Sequence, residues 1–129
     1  FRSCNVGSKK DAWCGKCPKC LFTYLLLGPF IDEKILIEIF GTNMLKDKSL
    51  DLIFRELTGI VDVKPFECVG TPEEVIAAIS AGVGFENIIY ESARKLKESD
   101  KFGKLLTGYN AENLLPHNFD NILKDALNG

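Results

Sequence analysis

The hydrophobic positions of this 129-residue chain recur at helical rather than strand spacing along most of its length. The run LFTYLLL, residues 21–27, is apolar on nearly every side and then meets Gly28-Pro29, a helix stop, so it predicts a short buried helix. Asp32 can cap a second helix in which Ile35, Leu36, Ile39 and Phe40 share a face, with Gly41 as terminator. Residues 47–59, DKSLDLIFRELTG, repeat the logic: Leu50, Ile53, Phe54 and Leu57 form a stripe, Asp51 and Arg55 are spaced to pair, and Gly59 closes the helix. In GIVDVKPFECVG, residues 59–70, Ile60, Val61 and Val63 favour an extended chain and Pro65 forbids a continuous helix, which predicts a connector with at most one or two short strands. Thr71-Pro72-Glu73-Glu74 combines a capping hydroxyl, a proline at the first helical position and two acids at the positive end of the dipole, so VIAAIS continues as a helix that stops near Gly82 and Gly84. The spacing of FENIIYESARKLKE predicts a helix over 85–98 with Phe85, Ile88, Ile89 and Leu96 inward and a Glu91–Lys95 pair outside. After the turn-rich LLTGYNAENLLPHN, the tail FDNILKDALNG reads as a last amphipathic helix through Phe119, Ile122 and Leu123.

The fold class this predicts is mainly α: a small helical domain with an N-terminal four-cysteine zinc knuckle. A length of 129 residues with 46% hydrophobic residues suits one domain over 1–129, divided into a knuckle at 1–20, helices at 21–59, an extended connector at 60–70 and helices at 71–129. The chain opens on Phe1, and FRSCN carries neither the apolar run of a signal peptide nor an Arg-rich transit pattern, so an excised piece of a longer protein is expected. The longest apolar run is too short to span a bilayer, which predicts a soluble, cytoplasmic protein without membrane contact. Net charge is −2, but residues 1–20 carry Arg2, Lys9, Lys10, Lys16 and Lys19 against Asp11 alone, a local charge of +4. The whole balance is not that of a nucleic-acid binder, although a basic patch surrounds the first cysteines.

Those cysteines are the chemistry-bearing part of the chain. Cys4, Cys14, Cys17 and Cys20 make the pattern C-x9-C-x2-C-x2-C, four of the five cysteines in seventeen positions. Thiolates separated by two residues converge on one ion when the chain turns between them, and Gly15 supplies that turn and leaves its amide free to donate to sulfur. Four protein sulfurs leave no open position for water or substrate, so such a zinc site is structural, and its formal charge of about −2 is offset by the flanking lysines and arginine. Phosphate or nucleotide contact is the other reading of the basic patch. An iron-sulfur cluster also takes four cysteines, although there the distant ligand ordinarily follows the C-x2-C-x2-C run, and here it precedes it. Disulfides, or a redox role for Cys14 and Cys17, are the remaining alternatives.

The residues SCN followed by a polar loop and WCGKCPKCLF resemble the zinc motif of 7-cyano-7-deazaguanine synthase, of the ATP pyrophosphatase superfamily, over about the first twenty positions. Trp13, the CPKC ending and the long helical continuation depart from that enzyme. A resemblance that covers more of the chain is to the C-terminal part of bacterial UDP-N-acetylmuramoyl-L-alanyl-L-glutamate epimerases: the SCN opening at 3–5, the WCGKCPKC block at 13–20 and KPFECVG at 64–70. This resemblance implies an ATP- and magnesium-dependent enzyme of peptidoglycan precursor synthesis that inverts the terminal L-glutamate of a nucleotide-linked muramoyl dipeptide, by activating its carboxylate so that the α-proton can be removed. No Ser/Gly-rich pyrophosphate loop occurs in these 129 residues, so the resemblance places ATP on a missing N-terminal domain, the expected partner, and predicts that this piece alone is inactive. Two other classes stay open: a non-catalytic zinc-knuckle module that docks protein or nucleic acid, and an accessory domain of a nucleobase-modifying ATP pyrophosphatase.

Further residues carry weaker signals. Cys68 beside Phe66 and Val69 reads first as a small core residue; the alternative is that Glu67 or Cys68 serves as acid or base at the substrate α-carbon, in a site completed by the missing domain. Gly70-Thr71-Pro72 offers helix-start amides to an anion, but Glu73 and Glu74 oppose one, which favours a plain cap. His117 has no second ligand nearby in sequence and reads as a turn or surface residue. Trp13 and Tyr109 could stack on a nucleobase, or Trp13 could shield the cysteine site. Glu86, Glu91, Glu98 and Asp100 are interleaved with bases, as on a solvated helix face.

Overall fold

The computed structural model describes residues 4, 6–7, 10, 12–65, 69–96, 101–108 and 116–128, and it is helical, with no strand among the described residues. Six α-helices are found among them: α1 (Pro18–Leu27), α2 (Glu33–Phe40), α3 (Asp51–Leu57), α4 (Pro72–Ala81), α5 (Phe102–Thr107) and α6 (His117–Asn128). The connector carries no strand at 60–65 or 69–70; Ile60 and Val61 instead turn back on the end of α3, both amides donating to the Arg55 carbonyl, at 3.0 and 3.4 Å, and residues 66–68 lie outside the described set.

Helix α1 is the hub. It packs on α4, α3 and α2, and Cys20, Leu21, Tyr24 and Leu25 are buried on it. The helix starts three residues earlier than the apolar run suggested, because Pro18 occupies the first helical position, where its missing N–H costs nothing. Leu36 and Phe40 of α2, Phe54 and Leu57 of α3, and Val75 and Ile79 of α4 complete the core around it. The C-terminal ends of α1 and α4 meet at Gly28 and Gly82: a Cβ on Gly82 would lie 2.5 Å from the Gly28 carbonyl carbon and the Pro29 nitrogen. Only hydrogen fits there.

Local signals explain most helix ends. Asp32 caps α2, its Oδ1 accepting from Lys34 N–H at 2.9 Å, and Gly41 ends it with a left-handed φ of 73°. The start of α4 is a full capping box. Thr71 Oγ1 accepts from Glu74 N–H at 3.3 Å and Glu74 Oε2 accepts from Thr71 N–H at 2.7 Å. Glu74 already occupies the amide an anion would need, so the cap reading of Gly70-Thr71-Pro72 holds.

Three expectations are corrected. On α2, Leu36 and Phe40 are buried but Ile35 and Ile39 are exposed, since α1 covers only one flank of the helix. The Asp51–Arg55 pair does not form; Asp51 Oδ1 accepts instead from Ser92 Oγ at 2.6 Å, a longer-range contact that ties α3 to a later segment. The helix expected over 85–98 is replaced, as far as Leu96, by 3-10 turns at Phe85–Asn87 and Glu91–Lys95. The reason is tertiary. Ile88, Tyr90 and Ala93 turn inward, the Ile89 amide donates to the Leu45 carbonyl at 3.1 Å, and Lys46 Nζ donates to the Asn87 carbonyl at 2.7 Å. One straight helix cannot point Ile88 and Tyr90 to the same side. The last helix forms as expected, yet Phe119, Ile122 and Leu123 are exposed, as are Leu105 and Leu106 of α5, a helix that the turn-rich composition had concealed.

Two buried tyrosines divide cleanly by hydrogen bonding. Tyr90 packs edge-on against Phe54 and its hydroxyl donates to the Met44 carbonyl, whereas the Tyr24 hydroxyl, equally buried, has no partner among the described residues. Tyr90→Phe should therefore cost about 1 kcal/mol, because it removes a buried hydrogen bond and leaves the Met44 carbonyl only the Asp47 amide at 3.2 Å, while Tyr24→Phe should be neutral or stabilising. Denaturant unfolding of both variants checks the contrast.

Candidate metal centre

Four sulfurs converge at the start of α1. Cys17 is the residue that caps the helix and Cys20 lies in its first turn, so the helix fixes the spacing of two of them. Gly15, with φ 68°, turns the chain so that Cys14 reaches the same point. Cys4 returns through a tight loop in which the Gly7 carbonyl accepts from Lys10 N–H at 3.0 Å and Ala12 N–H at 3.1 Å. The resulting Sγ–Sγ distances are 3.4 Å for Cys17–Cys20, 3.6 Å for Cys14–Cys20 and 3.8 Å for Cys4–Cys17, and all four sulfurs lie within 4.8 Å of one another.

These distances sort the chemistry. A tetrahedral ion with metal–sulfur bonds of about 2.3 Å places its sulfurs about 3.8 Å apart. A disulfide needs about 2.05 Å, and the four cysteines are free thiols. A four-iron cluster spreads its thiolates around a cube of metal and sulfide, wider than one ion does. The cluster fits a single metal ion held by four protein sulfurs, with no ligand position left for a substrate.

Backbone donors and burial act in opposite directions on the thiols. At Cys4 burial disfavours the thiolate, but the Gly7 amide at 3.2 Å and the Cys14 backbone favour it more, and the pKa falls to about 6. At Cys20 burial outweighs the hydrogen bonds from Cys17 and the Gly15 backbone, and the pKa rises to about 11. Burial likewise pushes Cys17 up, reinforced by its neighbouring sulfurs. Four sulfurs this close cannot all carry charge without a cation among them.

Gly7 is the site residue that sequence reasoning missed. A Cβ there would lie 1.9 Å from the Ala12 carbonyl oxygen, so any side chain opens the loop that aims this amide at Cys4. Its only signal was a glycine between two ligands without a helix end to explain it. Trp13 is half-buried and stacks on Phe40 at 4.9 Å, packing inward beside Cys14, which agrees with shielding rather than nucleobase stacking. Of the basic patch, Lys10 and Lys16 are exposed and Lys19 is half-buried, while Arg2 and Lys9 lie outside the described residues. Also outside them are Glu67, Cys68, Tyr109, Glu98, Asp100 and the His117 side chain.

Gly7→Ala should release metal far more readily than the parent while leaving the helices in place, as read by metal content after mild chelation and by far-UV circular dichroism. A pH test follows from the raised thiols. Cys17 and Cys20 favour the folded, metal-free chain below the ordinary thiol value of 9.0, and that contribution is lost as pH rises towards the Cys20 value of about 11. The melting temperature of the metal-free chain should begin to fall near pH 9, below the ordinary tyrosine value of 10.0, and metal loading, which fixes thiolates, should abolish the fall at that pH.

The family model described as the MurL C-terminal domain matches residues 1–91. Among curated proteins, the chain is 44% identical over 82 residues to a UDP-N-acetyl-alpha-D-muramoyl-L-alanyl-L-glutamate epimerase of a Micromonospora species, a match covering 60% of this chain and 18% of that protein. Proteins of the same name from Salinispora tropica, 43% identical over 82 residues with 60% and 18% covered, and Xanthomonas oryzae pv. oryzae, 41% over 86 residues with 62% and 19% covered, are similar to it as well. The chain thus spans under a fifth of the length of these relatives. No solved structure matches it. With the family model covering both the cysteine knuckle and helices α1 to α4, the chain belongs to the MurL C-terminal domain family.

Proposed function

We propose that this chain is the zinc-bearing C-terminal region of a cytoplasmic, ATP- and magnesium-dependent epimerase that inverts the terminal L-glutamate of a UDP-N-acetylmuramoyl dipeptide in peptidoglycan precursor synthesis. The observation that carries the reading is the family match over residues 1–91, together with relatives that all bear that epimerase name. No helix among the described residues is long and apolar enough to cross a membrane. The chain acts as one domain docked on the remainder of the enzyme.

In this reading Cys4, Cys14, Cys17 and Cys20 hold zinc as a closed tetrathiolate, and Lys16 and Lys19 lie close enough in sequence to offset its negative charge. Bound zinc supplies a cross-link between the N-terminal loop and α1 and no reactive ligand position. The four cysteines fix the loop, Gly7 and Gly15 donate to sulfur, and Trp13 closes the site against water. ATP and magnesium belong to the part of the enzyme that precedes this region. Of this chain's own residues, Glu67 and Cys68 are the ones offered to the reacting centre, as acid or base at the glutamate α-carbon.

The test uses the full-length parent with the L-glutamate-terminated nucleotide dipeptide, ATP and magnesium in deuterated water. Deuterium should enter the glutamate α-carbon, and about one zinc per chain should be found by elemental analysis. Cys17→Ser should lose the zinc and several kcal/mol of stability, since ligation and folding are coupled. Absence of deuterium incorporation by a folded, metal-loaded parent would rule the epimerase reading out.

A further inference from the structure

Helix α2 is apolar around most of its circumference. Ile35, Leu36, Ile37, Ile39 and Phe40 leave Glu33, Lys34 and Glu38 as its only polar side chains. A helix of that composition is ordinarily covered on more than one side. Here α1 covers the flank of Leu36 and Phe40, whereas Ile35 and Ile39, one turn apart on the other flank, are 49% and 39% exposed. Leu52 at 59% and Val63 at 62% are also exposed, but they stand on separate elements, α3 and the connector. Single exposed apolar residues are ordinary, whereas an apolar ridge along a helix marks a surface that something else covers.

We infer that the Ile35–Ile39 flank of α2 is the surface on which the preceding part of the epimerase polypeptide packs, an inference that rests on the reading of this chain as the C-terminal region of a longer enzyme. Two observations name that occupant. Over four-fifths of each relative lies outside the matched stretch, and the matching family is a C-terminal domain, so a much larger body adjoins this one in the same polypeptide. The entry to that body is next to α2. Cys4, the earliest described residue, sits in the metal loop, and this loop rests on the C-terminal end of α2 through Trp13 on Phe40 and through Gly15, where a Cβ would lie 3.0 Å from Thr42 Cγ2. Lys34 and Glu38 border the ridge and form a polar rim, the usual arrangement around an apolar interface core. Interfaces between domains of one chain are commonly about 600–1,500 Å², so the isoleucine ridge is its apolar centre rather than its whole extent.

Hydroxyl-radical footprinting of the metal-loaded full-length parent tests this, with Leu52 as internal reference. Ile35 and Ile39 should be labelled severalfold less than Leu52, at every protein concentration. Labelling equal to that of Leu52 overturns the inference. Protection that disappears when the protein is diluted to monomer also overturns it and assigns the ridge to a second copy. In the double variant Ile35→Asp with Ile39→Asp, metal content should be unchanged while the single unfolding transition of the parent splits in two. One unchanged transition would count against the interface. Neither readout requires turnover, so a protected ridge in a protein that fails to epimerise sinks the proposed activity and leaves the interface standing.

Discussion

Everything in this fold is arranged around the first two turns of α1, where the chain must satisfy two demands at once. Four sulfurs within 4.8 Å repel one another once ionised, so the knuckle stays closed only with some of them protonated or with a cation among them. The same turns begin the helix that α2, α3 and α4 pack against. Cys20 belongs to the four-sulfur cluster on one side and is a fully buried core residue on the other. Knuckle and core are therefore one cooperative unit: an error in the position of Cys20 is felt in both.

Much of this was legible in the residues. Gly28-Pro29, Asp32, Gly41 and the Thr71 box are local signals, and their hydrogen bonds lie within four residues of one another, which is why they could be read from sequence. The cysteine spacing was legible for the same reason, as C-x2-C-x2-C is itself a local geometry. What escaped depends on distant partners. Tyr90 reaches Met44 and Ser92 reaches Asp51 across more than forty residues, and those contacts break the helix that local periodicity had favoured over 85–98. The exposure of Ile35 and Ile39 was hidden because a hydrophobic stripe tells which residues seek cover, not which neighbour supplies it. Gly7 escaped because its role appears only when Ala12 folds back over it.

The arrangement separates recognisable chemistry from reacting chemistry. All four sulfurs are gathered into one cluster, and lowered and raised thiol pKa values sit side by side because one set of backbone donors serves Cys4 while burial governs Cys17 and Cys20. An open metal site would instead spare one position for water, and its protein ligands would number three. The cysteine set thus explains why a segment belonging to an enzyme family can be mostly architecture.

Trp13 is the chain's single tryptophan, and it packs on Phe40 immediately before Cys14 of the four-sulfur cluster. The tryptophan emission of this polypeptide is therefore a report on one corner of it. Light from the indole follows the order of the knuckle and its contact with α2, and is silent about α5 and α6, so the chain carries a built-in optical probe of the very junction on which its architecture turns.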